Sequence, residues 1–155
     1  MTLHPLTDSG AARPSPSLLY AVKQVELAVR AHLDELLRPA GITALQYTAL
    51  TVLDRRAGLT TAELARNSFV TPQAMGDLVT ALERRSLIER HHDPAHRRRL
   101  LISLTPAGQE LLAEFAEPVR ALEERMVAGL TPEERTKFAT YLNRSRAALA
   151  TQPAH

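Results

Sequence analysis

The stretch from Thr60 to Thr105 constrains the fold more than any other part of this 155-residue chain. Thr60 lies three residues before Glu63, a capping-box spacing that predicts the start of a helix. Thr71 followed by Pro72 predicts the start of a second helix, because threonine caps helices and proline fits their first turn. We expect that second helix to run to about Arg85, so two short helices follow one another directly. The apolar residues that fall on one face of this helix, and that we assign to the core, are Met75, Leu78, Val79 and Leu82.

An arginine-tipped β-hairpin is predicted immediately after the second helix. Two segments, Leu87–Arg90 and Leu100–Leu104, flank a loop that ends in Arg97, Arg98 and Arg99. The net charge of +2 does not by itself indicate a polyanionic partner, but six arginines against three acids lie between Glu83 and Arg99. Such a run is often only a solvated face. Here it lies beside a helix that could enter a groove, and that combination is one way of reading duplex DNA.

Length and composition predict one globular domain and exclude several classes of protein. Apolar residues make up 45% of the chain, which is enough for a sizeable core. No apolar run could span a bilayer, and Met1–Ser17 lacks the apolar core of a signal peptide, so we expect a cytoplasmic protein with no membrane partner. There is no cysteine, no nucleophile elbow and no phosphate loop. We therefore expect neither an enzyme nor a cofactor, and predict no catalytic residue.

The element order αα-(αα-ββ)-αα predicts a mainly α fold with a small β-hairpin. Residues 1–17 are rich in Pro, Ser and Thr and are expected to form a flexible arm. A DNA-binding lobe is predicted over 43–105. The helices of 18–38 and 106–150 carry more apolar surface than this lobe needs. We expect them to bury it in a symmetric homodimer, whose two copies would meet two half-sites of DNA.

Two further expectations concern the helices on either side of the lobe. The helix that Thr43 could cap carries Leu45, Ala49, Leu50 and Leu53. The long helix after Thr105 is expected to close at Gly129.

Several segments together resemble the MarR-type transcriptional regulators, over about residues 18–150. The helix-turn-helix of that family resembles Leu59–Ala65 with Val70–Met75, and the end of its recognition helix resembles Leu78–Arg85. The wing resembles Asp93–Arg98, and the start of the helix after it resembles Leu104–Gly108. The start of the family's second helix resembles Gly41–Tyr47. The resemblance implies a winged helix-turn-helix protein that is an obligate homodimer. Such proteins usually bind palindromic operators and repress transcription, and small, often aromatic, ligands commonly relieve the repression.

Three positions depart from the family pattern. His96 stands where the wing usually has an acid that braces the arginine at Arg98, so either the wing tip is looser or Asp93 substitutes. Ser86 replaces the usual glycine after the recognition helix, so the helix must end without the residue that adopts a left-handed conformation most easily. Asp77 replaces a basic or polar residue, and it should either accept from a cytosine N4 or pair with a nearby Arg.

The residues expected to contact DNA lie on the second motif helix and on the hairpin. Gln73 can bond adenine through two hydrogen bonds, and Ala74 can touch a thymine methyl. By resemblance Arg98 enters the minor groove. If these residues belong to a strand, alternation would put Arg97 and Arg99 on one side and Arg98 on the other, unless the loop persists through these residues. The expected set is Thr71, Gln73, Ala74, Asp77, Thr80, Arg84, Arg97, Arg98 and Arg99.

Gly76 and Arg90 are left with alternatives. Gly76 costs about 1 kcal/mol of helix propensity relative to alanine, which suggests that the helix backbone closely approaches DNA or the first motif helix. Arg90, like Arg84, is expected either to contact phosphate or to form an intramolecular ion pair.

The resemblance also implies a ligand pocket between the long helices and the DNA-binding lobe. The polar-tipped residues that could line it are Tyr20, Arg30, His32 and Tyr47. A half-buried core position explains Tyr47 better. Aromatic residues are only 4% of the chain, so no stacking cage is predicted and a small aromatic effector cannot be named.

The histidines of the hairpin raise the question of a metal site. His91, His92, Asp93 and His96 offer suitable ligand types, but Pro94 interrupts any helix that would align them. The neighbouring arginines would repel a cation, so no metal is expected.

One alternative function stays open at this point. A winged-helix module that dimerises and binds proteins without binding an operator would also tolerate Asp77 and the missing wing acid.

Overall fold

The computed structural model describes residues 17–68 and 70–150. Within them the fold is mainly α with one two-stranded antiparallel hairpin, as predicted. The elements are α1 (Leu18–Leu37), a 3-10 turn (Arg38–Ala40), α2 (Ala44–Arg55), α3 (Thr61–Ser68), α4 (Pro72–Arg84), β1 (Ile88–His92), β2 (Leu100–Leu104), α5 (Pro106–Met126) and α6 (Pro132–Ala150). The predicted arm lies outside the described residues except for Ser17, whose hydroxyl accepts from the Tyr20 N–H at 3.1 Å and caps α1.

Threonine caps begin the five helices that follow α1. In each case the hydroxyl accepts a hydrogen bond from the backbone N–H three residues on, which satisfies one of the donors left free at a helix start. The capping threonines are Thr43, Thr60, Thr71, Thr105 and Thr131. The helix starts predicted from Thr60 and Thr71 are therefore confirmed.

The core lies in the central lobe, where α2, α3, α4 and the hairpin pack together. Met75, Val79 and Leu82 of α4 are fully buried, and they pack with residues such as Leu50 of α2 and Leu64 of α3. The buried stripe of α4 is the one that the sequence predicts. Because this stripe is locked in the core, it fixes which face of α4 points outward.

Ser86 ends α4 in a left-handed conformation with φ of 57°. Its N–H donates to the Glu83 carbonyl at 2.9 Å, and the N–H of Leu87 donates to the Leu82 carbonyl at 3.1 Å. These two bonds form a Schellman motif, which is normally closed by glycine. The chain then enters β1, whose residues pair with β2 from Ile88 opposite Leu104 to His92 opposite Leu100.

The start of α5 is packed directly onto the entry to β1. A Cβ added at Gly108 would lie 2.2 Å from the backbone oxygen of Leu87. The Thr105 hydroxyl donates to the Ser86 carbonyl at 2.6 Å. Only a residue without a side chain fits position 108, so this junction joins the hairpin rigidly to the long helix.

One expectation about the helices next to the lobe is wrong. Helix α5 ends at Met126 rather than at Gly129, because Leu130 N–H bonds back to the Val127 carbonyl at 2.9 Å and turns the chain earlier. Leu45 is 38% exposed, because it lies on the outer side of α2 while Leu50 and Leu53 fill the core.

The terminal helices leave apolar surface uncovered. The exposed fraction is 86% for Leu18 at the start of α1 and 85% for Leu149 near the end of α6. Helix α6 has no buried residue, and Arg135 connects it to α5 through an ion pair with Glu124 at 3.0 Å. In the part of the chain that the structure describes, no helix is long and apolar enough to cross a membrane.

Candidate nucleic-acid interface

The N-terminal half of α4 presents an exposed polar face. Thr71, Gln73, Ala74 and Asp77 are all exposed, because Met75 and the other apolar residues of α4 turn the opposite face into the core. This half of a second motif helix is the part that reaches base edges in helix-turn-helix proteins.

Gly76 lies on the same half of α4, and a Cβ added there would meet no atom within 4 Å. Close packing against α3 therefore does not explain the glycine. Of the two alternatives taken from the sequence, close approach to the first motif helix is removed, and approach to DNA stays a prediction.

Asp77 has no ion-pair partner within 4 Å among residues 17–68 and 70–150. One of the two roles expected for Asp77 was an ion pair with a nearby arginine, and no such pair is found among these residues. The carboxylate is left exposed and able to accept hydrogen bonds.

Thr80 turns toward the hairpin rather than outward. Its hydroxyl donates to the Gly76 carbonyl at 3.0 Å and accepts from Arg90 Nη2 at 3.3 Å. Arg90 also places its Nε 3.2 Å from Glu83 Oε2, so the expected ion pair of Arg90 is confirmed. Thr80 and Arg90 thus join α4 to β1, whereas Arg84 is exposed at the end of α4.

The loop between the strands is closed by its own backbone bonds. Asp93 N–H donates to the Arg99 carbonyl at 2.9 Å, and Arg99 N–H donates to the His96 carbonyl at 2.8 Å. Asp93 Oδ1 accepts from the Ala95 N–H at 2.9 Å. The loop persists through Arg99, so the stated exception holds and strand alternation does not set the directions of the three arginines. We call β1, β2 and this loop, residues 88–104, the wing.

A histidine fastens the side of the loop. His92 Nδ1 lies 2.8 Å from the Arg97 carbonyl oxygen. A carbonyl can only accept, so this nitrogen is the one that carries the proton. In the described part of the chain, no group of three His, Cys, Asp or Glu side chains could hold a metal ion.

The three arginines of the wing have different environments. Arg97 and Arg98 are exposed and have no ion-pair partner among the described residues. Arg99, in contrast, places Nη2 2.6 Å from Glu63 Oε1 on α3 and Nη1 3.9 Å from Asp93 Oδ2. The tip of the wing therefore carries two unpaired guanidinium groups, and the third is held against the helix-turn-helix.

Glu63 is itself held in place. The Thr60 hydroxyl donates to its carboxylate at 2.9 Å, and the Glu63 N–H donates back to that hydroxyl at 3.2 Å. Hydrogen bonding from Thr60, followed by that from Arg99, lowers the pKa of the Glu63 carboxyl below its usual value. The carboxylate is thus charged at neutral pH.

The four residues expected to line a ligand pocket do not border one shared cavity among the described residues, and their role in ligand binding stays a prediction. Tyr47 is 7% exposed in the core, where burial raises the pKa of its phenol, so the core interpretation is confirmed. Arg30 pairs with Glu26 and borders a cavity of about 220 Å³ between α1 and α2. His32 borders a different cavity, of about 250 Å³, between α1 and α5. Tyr20 is exposed near the start of α1, about 15 Å along the helix from Arg30.

These elements define a class of protein. Two short helices, the second with an exposed N-terminal half, stand beside a hairpin with a basic tip, which is the arrangement of winged helix-turn-helix DNA-binding proteins.

Comparison with known proteins identifies the family. Residues 40–99 match the model of the MarR family. The chain is 33% identical over 135 residues to the HTH-type transcriptional repressor Rv2887 of Mycobacterium tuberculosis, which covers 87% of this chain and 96% of the relative. The chain belongs to the MarR family and is a DNA-binding transcriptional regulator.

Solved structures agree with this assignment. Rv2887 in complex with p-aminosalicylic acid is 31% identical, with a TM-score of 0.68 over 83% of this chain and 98% of that one. The Staphylococcus aureus MepR–DNA complex is 26% identical, with a TM-score of 0.77 over 86% of this chain and 99% of that one.

Sequence reasoning missed the contacts that hold the wing. The Thr60-Glu63 spacing signals a helix cap and nothing more, while the partner of Glu63 lies 36 residues away. Likewise, nothing in the sequence of β1 indicates that Arg90 reaches Thr80.

Proposed function

We propose that this protein is a ligand-responsive repressor that binds a palindromic operator as a homodimer. The observation that carries the proposal is the pairing, in one packed lobe, of an exposed polar half of α4 with a wing tip that has two unpaired arginines. Each element offers donors and charge that the protein itself leaves unused. A regulator in the cytoplasm, without catalytic activity, is the role that this arrangement suits.

In this proposal α4 lies in the major groove and reads base edges. Gln73 bonds adenine, Ala74 contacts a thymine methyl, and Asp77 accepts from a cytosine N4. Thr71 and Arg84 contact phosphates at the two ends of the helix. Gly76 lets the backbone of α4 approach the DNA closely.

The wing contacts the neighbouring minor groove through Arg97 and Arg98. A guanidinium favours a narrow A·T-rich groove, because the negative potential is enhanced there. Thr80 and Arg99, which the sequence also suggests as DNA contacts, are assigned here to internal support, since both already have partners within the protein.

The homodimer is supported by the apolar surface left exposed on the terminal helices. Leu18 and Leu149 are the most exposed large apolar side chains in the part of the chain that the structure describes, and no residue of α6 is buried in the protomer. Helices from 18–38 and 106–150 of two copies would cover one another. A two-fold pair would then present its two α4 helices to successive turns of DNA, about 34–36 Å apart.

An aromatic carboxylate is the class of effector we propose. Rv2887 has been crystallised with p-aminosalicylic acid and with salicylic acid. In this chain, Arg30 and its ion-pair partner Glu26 border the α1–α2 cavity, beside apolar Leu33 and Leu45. The carboxylate of the effector would replace Glu26 as the partner of Arg30. The cavity adjoins both a terminal helix and the lobe, so a ligand there could alter their relative position.

A mobility-shift titration on DNA from upstream of the protein's own gene tests the proposal. We expect one retarded complex whose affinity falls steeply with salt, because counterions are released from the phosphates. Salicylate should weaken that complex. An interaction module without an operator would show no sequence preference and little dependence on salt.

A further inference from the structure

One ion pair joins the wing to the first motif helix. Arg99 precedes β2 directly, and its guanidinium reaches across 36 residues of sequence to Glu63 in the first turn of α3. We propose that Glu63 and Arg99 form a clasp that sets the direction of the wing, so that Arg97 and Arg98 enter DNA. Both members of the clasp are positioning residues. The inference rests on the proposed function, in which the wing tip contacts the minor groove.

The α3 side of the clasp is a fixed anchor. Glu63 is the third residue of a helix whose next two residues, Leu64 and Ala65, are buried in the core. Thr60 holds the carboxylate by a hydrogen bond of 2.9 Å and caps the helix at the same time. Since its own rotamer is restrained, Glu63 holds a partner in one place with little further loss of freedom.

The wing needs such an anchor because little else fixes its outer half. From His91 to Arg99 the side chains are exposed, apart from the half-buried Asp93. Ile88 and Ile102 are buried, but they lie at the inner end of the hairpin. The backbone of Leu59 also pairs with Ile102 at this inner end. The outer half lacks such support, and a two-stranded ribbon without further packing is only marginally stable. The direction of its tip therefore depends on the few contacts that its outer half makes, and the Arg99–Glu63 pair is one of them.

The acid within the loop is the weaker of the two partners of Arg99. Asp93 Oδ2 is 3.9 Å from Arg99 Nη1, compared with 2.6 Å between Arg99 Nη2 and Glu63 Oε1. Asp93 also uses its Oδ1 to accept from Ala95. The loop thus closes on itself through Asp93 and is attached to α3 through Glu63.

Glu63→Gln tests the clasp by the sign of its effect on affinity. Glutamine also serves at the third position of a capping box, so the helix start is kept while the charge is lost. Removing a negative charge from a DNA-binding lobe should by itself lower Kd for the operator. If the charge of Glu63 aims the wing, Kd should instead rise about two- to fivefold, which corresponds to an ion pair between partly exposed groups.

Glu89→Gln is the matched control. Glu89 is an exposed acid on β1 with no ion-pair partner in the described part of the chain. Its substitution should leave Kd unchanged or lower it. In an Arg99→Ala background, Glu63→Gln should no longer raise Kd, because the partner is gone.

Three outcomes decide the proposal. An Arg98→Ala variant that binds a selected operator as wild type does would contradict the proposed minor-groove role. If Arg98→Ala weakens binding while Glu63→Gln binds as tightly as wild type or tighter, the clasp is overturned and the proposed function stands. Should Glu63→Gln fail to fold in thermal unfolding, the charge-swapped pair Glu63→Arg with Arg99→Glu replaces it. In a double-mutant cycle with the two single variants, the swap must then bind more tightly than the sum of their separate effects on binding free energy predicts, and additive effects overturn the clasp.

Discussion

Gly108→Ala should destabilise the junction between the wing and α5. The added Cβ would lie 2.2 Å from the Leu87 carbonyl oxygen and 3.2 Å from Leu104 Cδ2. The first contact involves backbone, so the α5 start or the β1 entry must move by about 1 Å to reach an ordinary contact distance. Leu87 O also accepts from the Thr105 N–H at 3.2 Å, and that bond would be strained by the same movement.

The expected loss of stability combines three effects. Overpacking costs about 1–3 kcal/mol, and loss of a hydrogen bond costs about 1 kcal/mol. Alanine in a helix offsets about 1 kcal/mol of this relative to glycine. The net loss is about 2 kcal/mol, which for a chain of this size corresponds to a fall in Tm of roughly 4–8 °C.

Urea unfolding at a fixed protomer concentration measures the effect, since the stability of a dimer depends on concentration. Gly76→Ala is the matched control, because its Cβ meets no atom within 4 Å. That variant should gain about 0.5–1 kcal/mol. If Gly108→Ala unfolds at the same urea concentration as wild type or a higher one, the close packing described at this junction is refuted.

Three further expectations concern DNA binding and pH. Gly76→Ala should weaken operator binding although it stabilises the fold, and unchanged affinity in a mobility-shift titration would argue against close approach of α4 to DNA. Arg98→Ala should weaken operator binding by about 1–3 kcal/mol at fixed moderate salt. The loss should be larger for an operator with an A·T-rich wing site than for one with a G·C-rich wing site, and equal losses would count against a minor-groove role. Folding lowers the pKa of Glu63 below its ordinary value of 4.5. The charged carboxylate therefore stabilises the fold above pH 4.5, and this stabilisation is lost as the pH falls through the pKa of the folded state. Glu63→Gln should therefore flatten the dependence of unfolding free energy on pH below 4.5, and an unchanged slope would contradict the assignment.

Local signals in the sequence predicted most of the fold. Threonine caps, the buried stripe of α4 and the hairpin strands each depend on neighbouring residues, and all of them are found in the structure. Ser86 shows the limit of local signals. The sequence indicates that a left-handed residue is needed after α4, but it does not predict the hydrogen bond from the Thr105 hydroxyl to the Ser86 carbonyl.

The parts of the site that could not be predicted depend on distant contacts. The ion pair of Arg99 with Glu63 requires the hairpin to fold back onto α3, which no local pattern encodes. The expected ligand residues do not border one shared cavity, for a geometric reason. Arg30 and His32 are two positions apart on one helix and so point to different faces, each toward its own cavity.

The central claim is that two symmetric lobes of this protein read DNA through α4 and the wing. Selection of bound duplexes from a random pool of DNA sequences tests it most directly. The enriched sequences should form an inverted repeat whose half-site centres lie about 10 base pairs apart, with A·T-rich flanks where the wings bind. Recovery of no enriched sequence, or of a single site without an inverted partner, would contradict it.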